Sequence, residues 1–384
     1  MRFEFATATR IVFGCGVMAE IGPIAAELGG SALVVTGRSP QRAAPLLSEL
    51  ARHQVAAEVL AVEGEPTTEQ AGEGAIRARA GKHDLVISIG GGGALDAGKA
   101  IAALATNPGE PLDYLEVVGK GLALQATPLP WVAIPTTAGT GSEVTRNAVL
   151  TSLEHGVKAS MRSPRMLARV ALVDPALTCS MPPEVTASTG LDALTQLVEP
   201  YVCLRANPMT DAICREGIGR VARSLRRAWQ QGSDLEARTD MAMASVLGGI
   251  ALANAGLGAA HGLAAVLGGM LRASHGVICA RLLGPVVRAN LAALEQRAAD
   301  RGAIGRYDEV ACMLTGSPEA KAEDGAAWID AMCESLEIPR LSALGMRAER
   351  VAEVARRAAA SSSMKPNPVQ LSVSELSEIL DRAM

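Results

Sequence analysis

Short apolar runs rich in Val and Ile alternate with stretches of helical spacing through the first 175 residues of the chain. Phe3 to Gly14 alternates weakly and predicts an edge strand or hairpin. Val17 to Leu28 has helical spacing and stops at Gly29-Gly30, a C-cap signal. Ala32-Leu33-Val34-Val35-Thr36 predicts a buried strand, Ala43 to His53 a helix, Val55 to Val62 a strand, and Thr67 to Ala80 a helix capped by Thr67 or Thr68. Asp84 to Ile89 is the next strand, followed by the turn Gly90 to Gly93 and a helix from Ala94 to about Ala105. Residues 106 to 128 read as a surface loop with a short helix, and Trp131-Val132-Ala133-Ile134 as a strand entering Pro135 to Ser142. Such alternation implies parallel βαβ units with helices on both faces of one sheet. Ligands of these sheets bind outside the carboxyl ends of the strands. Gly37 to Pro40, Gly90 to Gly93 and Pro135 to Ser142 stand at such ends and are expected to line one crevice.

After Val173-Asp174-Pro175 the strand patterns stop. Helical spacing takes over in Pro183 to Val202, Asn207 to Gln230, Glu236 to Asn254, Asp324 to Leu336, Ala348 to Ala360 and a short amphipathic tail from Val373. The chain is therefore expected to divide into an α/β domain, residues 1–176, and an all-α domain, residues 177–384. Between Asp240 and Arg272 no residue carries a formal charge except His261 when protonated, and length alone would permit a membrane span. That run is rich in Gly and Ala, holds Asn254 and His261, and contains Gly248-Gly249 and Gly268-Gly269. It reads as two or more buried helices in close contact, not as a membrane element.

Composition sharpens this picture. A length of 384 residues exceeds one ordinary core, which agrees with two domains. Hydrophobic residues reach 49% while aromatics are only 2%, so the core must be made of Ala, Leu, Val, Ile and Met. A net charge of -4 with no basic block excludes nucleic acid as an expected partner. Seven scattered cysteines without a C-x-x-C pair, and an N-terminus lacking the apolar run of a signal peptide, fit a reducing cytoplasm.

Two constellations carry candidate chemistry. Gly90 to Gly93 removes every Cβ where a strand turns into a helix, and Asp96 and Lys99 follow in the first turns. Backbone N–H groups at a helix N-terminus suit a phosphate; the plain alternative is a tight turn with no ligand. The spacing is not G-x-G-x-x-G, so it does not name the ligand. In the helical half, Asp192 and Gln196 lie four apart on one helix face, and His261-Gly262 and His275-Gly276 follow. One straight helix would hold the two histidines roughly 21 Å apart, so sharing a metal requires a break, which Gly268-Gly269 offers. A carboxylate, an amide oxygen and two imidazoles suit Fe(II) or Zn(II). The alternative is a hydrogen-bonded core histidine and a buried cap or ion pair at Asp192.

Taken together, these motifs resemble the iron-containing (group III) alcohol dehydrogenase family, which shares its fold with glycerol dehydrogenase and dehydroquinate synthase. The resemblance rests on Ile89-Gly90-Gly91-Gly92 with Asp96 and Lys99, on Pro135 to Thr145, on Val173-Asp174-Pro175, on Gly190-Leu191-Asp192-Ala193-Leu194, and on the two His-Gly pairs. It implies a Rossmann-like N-terminal domain, a helical C-terminal domain, and a cleft holding NADP or NAD and one divalent metal, Fe2+ or Zn2+. By this similarity Gly91, Gly92, Gly93 and Asp96 meet the pyrophosphate and nearby cofactor atoms. Thr136, Thr137 and Ser142 line the same groove, and Lys158 contacts the ribose. Asp192, His261 and His275 are the catalytic metal ligands, with Gln196 in the fourth position. The implied activity is hydride transfer between the nicotinamide and an alcohol, aldehyde or ketone, and the expected assembly is a homodimer.

Three positions depart from the family pattern. Gln196 stands where a histidine is usual, which lowers the expected metal affinity. Ala265 replaces another histidine one turn after His261. Gly37, followed by Arg38 and Ser39, replaces the aspartate that holds ribose hydroxyls in many NAD-using members. A cation and a hydroxyl there favour the 2′-phosphate of NADP over NAD. Two rivals keep the fold: a dehydroquinate-synthase-like lyase, which needs a basic cluster not evident near Asp192 or His275, and a cofactor-binding member with impaired metal catalysis.

Overall fold

The computed structural model describes residues 2–271, 273–297 and 301–384. The chain forms two compact units. The first comprises Ala6–Thr137 and Gly141–Cys179; the second is built chiefly from Ser180–Met384 with Ala138–Thr140.

The first unit contains strands β1 (Arg10–Phe13), β2 (Ser31–Thr36), β3 (Ala56–Ala61), β4 (Leu85–Gly90), β5 (Trp131–Pro135), β6 (Asn147–Ser152), β7 (Val157–Arg162) and β8 (Val170–Val173). Six of them make one parallel sheet in the order β1-β8-β5-β4-β2-β3, and β6 and β7 form a separate antiparallel hairpin. The helices are α1 (Ile21–Leu28), α2 (Ala44–Arg52), α3 (Thr68–Ala80), α4 (Gly92–Thr106) and the single turn α5 (Pro111–Tyr114). β4, β5 and β8 are buried at every residue, as strands covered on both faces must be. Ile21, Ile24, Leu46 and Leu50 of α1 and α2 close one face over Val34, Ile87, Val132 and Leu172. On the opposite side α3 and α4 pack with the hairpin through Ala71, Ala75, Ala100, Leu104, Ala148 and Leu150. Thr67 and Gln70 cap α3 reciprocally, as the spacing predicts.

The direction of strand succession reverses at β2, which has β3 on one side and β4 on the other. A ligand crevice is expected at that reversal. Register brings the loops together there: Thr36 lies opposite Ile89 and Gly90 opposite Pro135, and Thr136 N–H donates to Gly90 O at 2.8 Å. The loops after β2, β4 and β5 thus share one edge of the sheet.

The second unit is helical: α6 (Pro183–Val202), α7 (Pro208–Gln230), α8 (Leu235–Asn254), α9 (Ala259–Leu267), α10 (His275–Gln296), α11 (Arg301–Thr315), α12 (Ala322–Ser335), α13 (Val351–Ala359) and α14 (Val373–Ala383). α6 is its central element, buried almost throughout, with Leu191, Leu194, Leu197 and Val198 packed against Ile218, Val221, Leu225 and Met241. The uncharged run supplies α8 and α9, which meet at a 97° bend. α10 is long and apolar enough to cross a membrane, but 72% of its apolar window is buried within the protein, so here it is a core helix.

Several parts of the fold differ from the sequence pattern. The first strand is confined to Arg10–Phe13, and the β6–β7 hairpin, α10 and α11 were not predicted. The hairpin's strands are half-buried, with polar Asn147, Thr151, Lys158 and Ser160 between the buried positions, so they lack the apolar run that marked the central strands.

Candidate metal centre

Asp192, Gln196 and Glu199 project from one face of α6, spaced one and two turns apart. All three are buried. Gln196 Nε2 donates to Asp192 Oδ2 at 2.9 Å. A carboxylate can only accept, so the amide nitrogen must face it and the amide oxygen must face away. Gln196 Oε1 and Asp192 Oδ1 are then both buried without a hydrogen-bond partner. Two orphaned acceptors on neighbouring side chains are costly unless a cation or further donors meet them.

His261 stands in the first turn of α9. The N-cap, Gly258, has no side chain to close that helix end, and Glu199 does so instead. Glu199 Oε1 accepts from Ala260 N–H at 2.7 Å and His261 N–H at 3.4 Å, while Oε2 accepts from His261 Nδ1 at 2.6 Å. The carboxylate partner assigns the proton to Nδ1 and leaves Nε2 as a lone-pair donor, 3.6 Å from Asp192 Oδ1. His275 opens α10, and Gly276 explains how it arrives there: a Cβ on Gly276 would lie 2.4 Å from Ser188 O, so only glycine lets α10 start against α6. The two imidazole rings come to a centroid separation of 5.3 Å. The break that this requires is observed, since α9 ends at Leu267 and α10 begins at His275. One turn into α10, Cys279 Sγ lies 3.4 Å from His275 Nε2. One donor atom each from Asp192, His261, His275 and Cys279 fall within 4.8 Å of one another.

Electrostatics agree with this reading. Burial works to lower the pKa of His261, but the charge and hydrogen bond of Glu199, then Asp192, outweigh it and the net direction is upward. Burial, followed by the negative charges of Asp192 and Glu199, pushes the Cys279 thiol far up. Two carboxylates, Asp192 and Glu199, flank His261, an arrangement that a divalent cation would balance. The residues therefore fit a metal.

Residues 8–175 match the iron-containing alcohol dehydrogenase family, and residues 186–384 match the C-terminal part of the Fe-containing alcohol dehydrogenase family. The chain belongs to the iron-containing alcohol dehydrogenase family. Within that family it is 43% identical over 272 residues to long-chain-alcohol dehydrogenase 1 of Geobacillus thermodenitrificans, covering 67% of each chain. The structure of an alcohol dehydrogenase from Oenococcus oeni superposes with a TM-score of 0.92 at 32% identity, covering 100% of both chains. That of sulfoacetaldehyde reductase from Bifidobacterium kashiwanohense in complex with NAD+ superposes with a TM-score of 0.88 at 28% identity, covering 100% of this chain and 99% of the other. The protein is an oxidoreductase of this family, acting on CH–OH groups.

Apart from Ala265, the other residues singled out in the sequence lie in the first unit. Gly91 is the N-cap of α4 and Gly92 its first residue. A Cβ on Gly93 would lie 2.6 Å from Gly64 O, so that glycine has a packing reason of its own. Gly37, Arg38 and Ser39 follow β2, with Arg38 and Ser39 exposed. Thr136 and Thr137 follow β5 and are half-buried. Asp96 and Ser142 are engaged with each other: Ser142 Oγ donates to Asp96, which also accepts Val149 N–H at 3.0 Å. Lys158, on β7, pairs with Glu65 at 2.7 Å. Ala265 is exposed on α9.

Sequence reasoning passed over two members of the centre, Cys279 and Glu199. The signal for both was helical spacing: Glu199 is two turns from Asp192, and Cys279 one turn from His275. Glu199→Gln keeps the acceptor for Ala260 N–H and removes the charge that orients His261. Its expected effect is a 10- to 100-fold loss of metal affinity with the fold retained, read by competition with a chelating dye. Unchanged affinity would leave Glu199 only its helix-capping part.

Proposed function

We propose that this enzyme is a metal-assisted, NAD(P)-dependent alcohol dehydrogenase or carbonyl reductase, with Asp192, His261 and His275 holding the metal. The observation that carries the reading is the buried Asp192 Oδ1, without a hydrogen-bond partner and 3.6 Å from His261 Nε2, in one cluster with His275. When bound, a divalent cation supplies Lewis-acid polarisation of the substrate oxygen, and the nicotinamide accepts or donates the hydride. Glu199 fixes the His261 tautomer, and Gln196 fixes the Asp192 rotamer through Nε2. The helices around this face are apolar and exclude water from it. NAD(P)H oxidation with an aldehyde panel, before and after chelation, tests the reading. Activity lost on chelation and restored by Zn(II) or Fe(II) is expected; full activity of the chelated protein would overturn the metal's part.

For the first unit we propose that the pyrophosphate sits on Gly91, Gly92 and Gly93 at the N-terminus of α4, a 15-residue helix, with Thr136 and Thr137 alongside. Asp96 and Ser142 shape that groove, and Lys158 serves the ribose once released from Glu65. Exposed Arg38 and Ser39 after β2, without a carboxylate at Gly37, favour NADP(H). Arg38→Ala is expected to raise KM for NADPH roughly 10- to 100-fold, as loss of a charged hydrogen bond does, and to leave KM for NADH nearly unchanged. Equal effects on both cofactors would remove the 2′-phosphate assignment.

A further inference from the structure

One of the four converging donors is sulfur. His275 and Cys279 project from the same face of α10, one turn apart. Cys279 is wholly buried, yet its sulfur faces an imidazole nitrogen and a carboxylate, not aliphatic neighbours alone. A tetrahedral ion with bonds of about 2.0 Å to nitrogen and about 2.3 Å to sulfur holds adjacent nitrogen and sulfur donors about 3.5 Å apart. Cys279 Sγ and His275 Nε2 are 3.4 Å apart, and His261 Nε2 and Asp192 Oδ1 are 3.6 Å apart. The nitrogen–sulfur edge has the length that such an ion needs, and the nitrogen–oxygen edge is a few tenths of an ångström longer than the roughly 3.3 Å expected for two bonds of about 2.0 Å. Gln196, by contrast, commits its amide nitrogen to Asp192 Oδ2.

We propose that Cys279 is itself a metal ligand, bound as the thiolate, and that it makes this centre select zinc over ferrous iron. The proposal rests on the reading that a cation binds Asp192, His261 and His275. As the sulfur–metal bond forms, the Cys279 S–H proton passes to solvent, and no atom changes oxidation state. Thiolate is a soft donor that suits Zn(II), whereas a purely imidazole and carboxylate set discriminates less. Four protein ligands leave the substrate oxygen to enter as a fifth donor, a coordination number that zinc accepts during turnover.

Cobalt(II) is the probe, loaded into the full-length protein after chelation. The wild type is expected to show a near-ultraviolet thiolate-to-cobalt charge-transfer band together with visible d–d bands. Cys279→Ser and Cys279→Ala are expected to lose the first and keep the second, since Asp192, His261 and His275 remain. In anaerobic competition between Zn(II) and Fe(II), the zinc preference of the wild type is expected to fall at least roughly tenfold in both variants. A wild type with d–d bands but no charge-transfer band, or a band that survives in both variants, overturns the Cys279 assignment and leaves the proposed function standing. Absence of every cobalt band overturns the metal reading itself and this inference with it. An unchanged zinc-to-iron ratio overturns the selectivity.

Discussion

Asp192→Asn is expected to lower turnover of the metal-loaded enzyme by roughly 1000-fold, the equivalent of about 4 kcal/mol of lost Lewis-acid assistance. Asparagine keeps the shape of the side chain and an acceptor for Gln196 Nε2 but removes the anion at 2% exposure that a cation needs. Metal content of the purified variant, read by elemental analysis, is expected to fall well below one per chain. The same substitution has the opposite sign on the stability of the chelated protein. Without a cation, Asp192 is a buried charge with one oxygen unsatisfied and Glu199 on the other side of His261. Asparagine removes that unsatisfied buried acceptor, so the chelated variant is expected to be more stable than the chelated wild type by about 1–3 kcal/mol. A drop in both activity and chelated stability would make Asp192 an ordinary ion-pair partner of His261.

That crossed outcome follows from a feature only partly legible in the sequence. The central strands were legible because burial on both faces forces continuous apolar runs such as Leu33-Val34-Val35 and Leu85-Val86-Ile87. The strand-to-helix junction at Gly90 to Gly93 was legible from its glycines, but the turn is tighter than predicted: Gly90 closes β4 and Gly92 opens α4, which leaves Gly91 alone between them. The β6–β7 hairpin was not, because its polar residues break the run and its pairing partner is itself. At the candidate metal centre, the periodicity of α6 and the His-Gly pairs marked Asp192, His261 and His275 as candidates, and the family resemblance implied that they are ligands. It did not identify Cys279, because a cysteine between Ile278 and Ala280 reads like any other small apolar residue until the facing helix is known. Glu199 was missed for a different reason: helical spacing puts it on the Asp192 face of α6, but its partners on α9 are 61 and 62 residues away and that spacing does not report them.

Lys99→Met is expected to destabilise the protein by about 3–5 kcal/mol, measured as a shift in the urea midpoint, because it breaks a buried charge cluster. Lys99 is 1% exposed, and its ammonium donates to Ser142 O at 2.8 Å, Ser142 Oγ at 3.0 Å, Thr145 Oγ1 at 3.0 Å and Asn147 O at 2.7 Å. Asp96 lies 3.6 Å away and the Trp131 ring beneath, at 5.1 Å to its centroid. Methionine preserves the stem, withdraws the ammonium from four acceptors and leaves Asp96 without its cation, although Asp96 keeps Ser142 Oγ and Val149 N–H. One cation does not balance the two buried acids it faces. Burial pushes Glu143 up to about 7, while burial drives Lys99 down to about 8 against the pull of Asp96 and Glu143. The folded pKa of Glu143 lies above its ordinary 4.5, so its contribution to stability is fully present below pH 4.5 and is lost as pH rises through about 7. The folded pKa of Lys99 lies below its ordinary 10.5, so its contribution is fully present above pH 10.5 and is lost as pH falls through about 8. Both work against the fold between these two values. Glu143→Gln abolishes the first dependence, so its stability relative to wild type is expected to rise from pH 4.5 to about 7 and then level off. A difference independent of pH would show that Glu143 is held there by packing alone. Because Lys99 fastens Ser142, Thr145 and Asn147 to α4, the same cluster ties the loop after β5 to the helix proposed to receive the pyrophosphate. Lys99→Met should therefore weaken cofactor binding even under conditions where the protein stays folded.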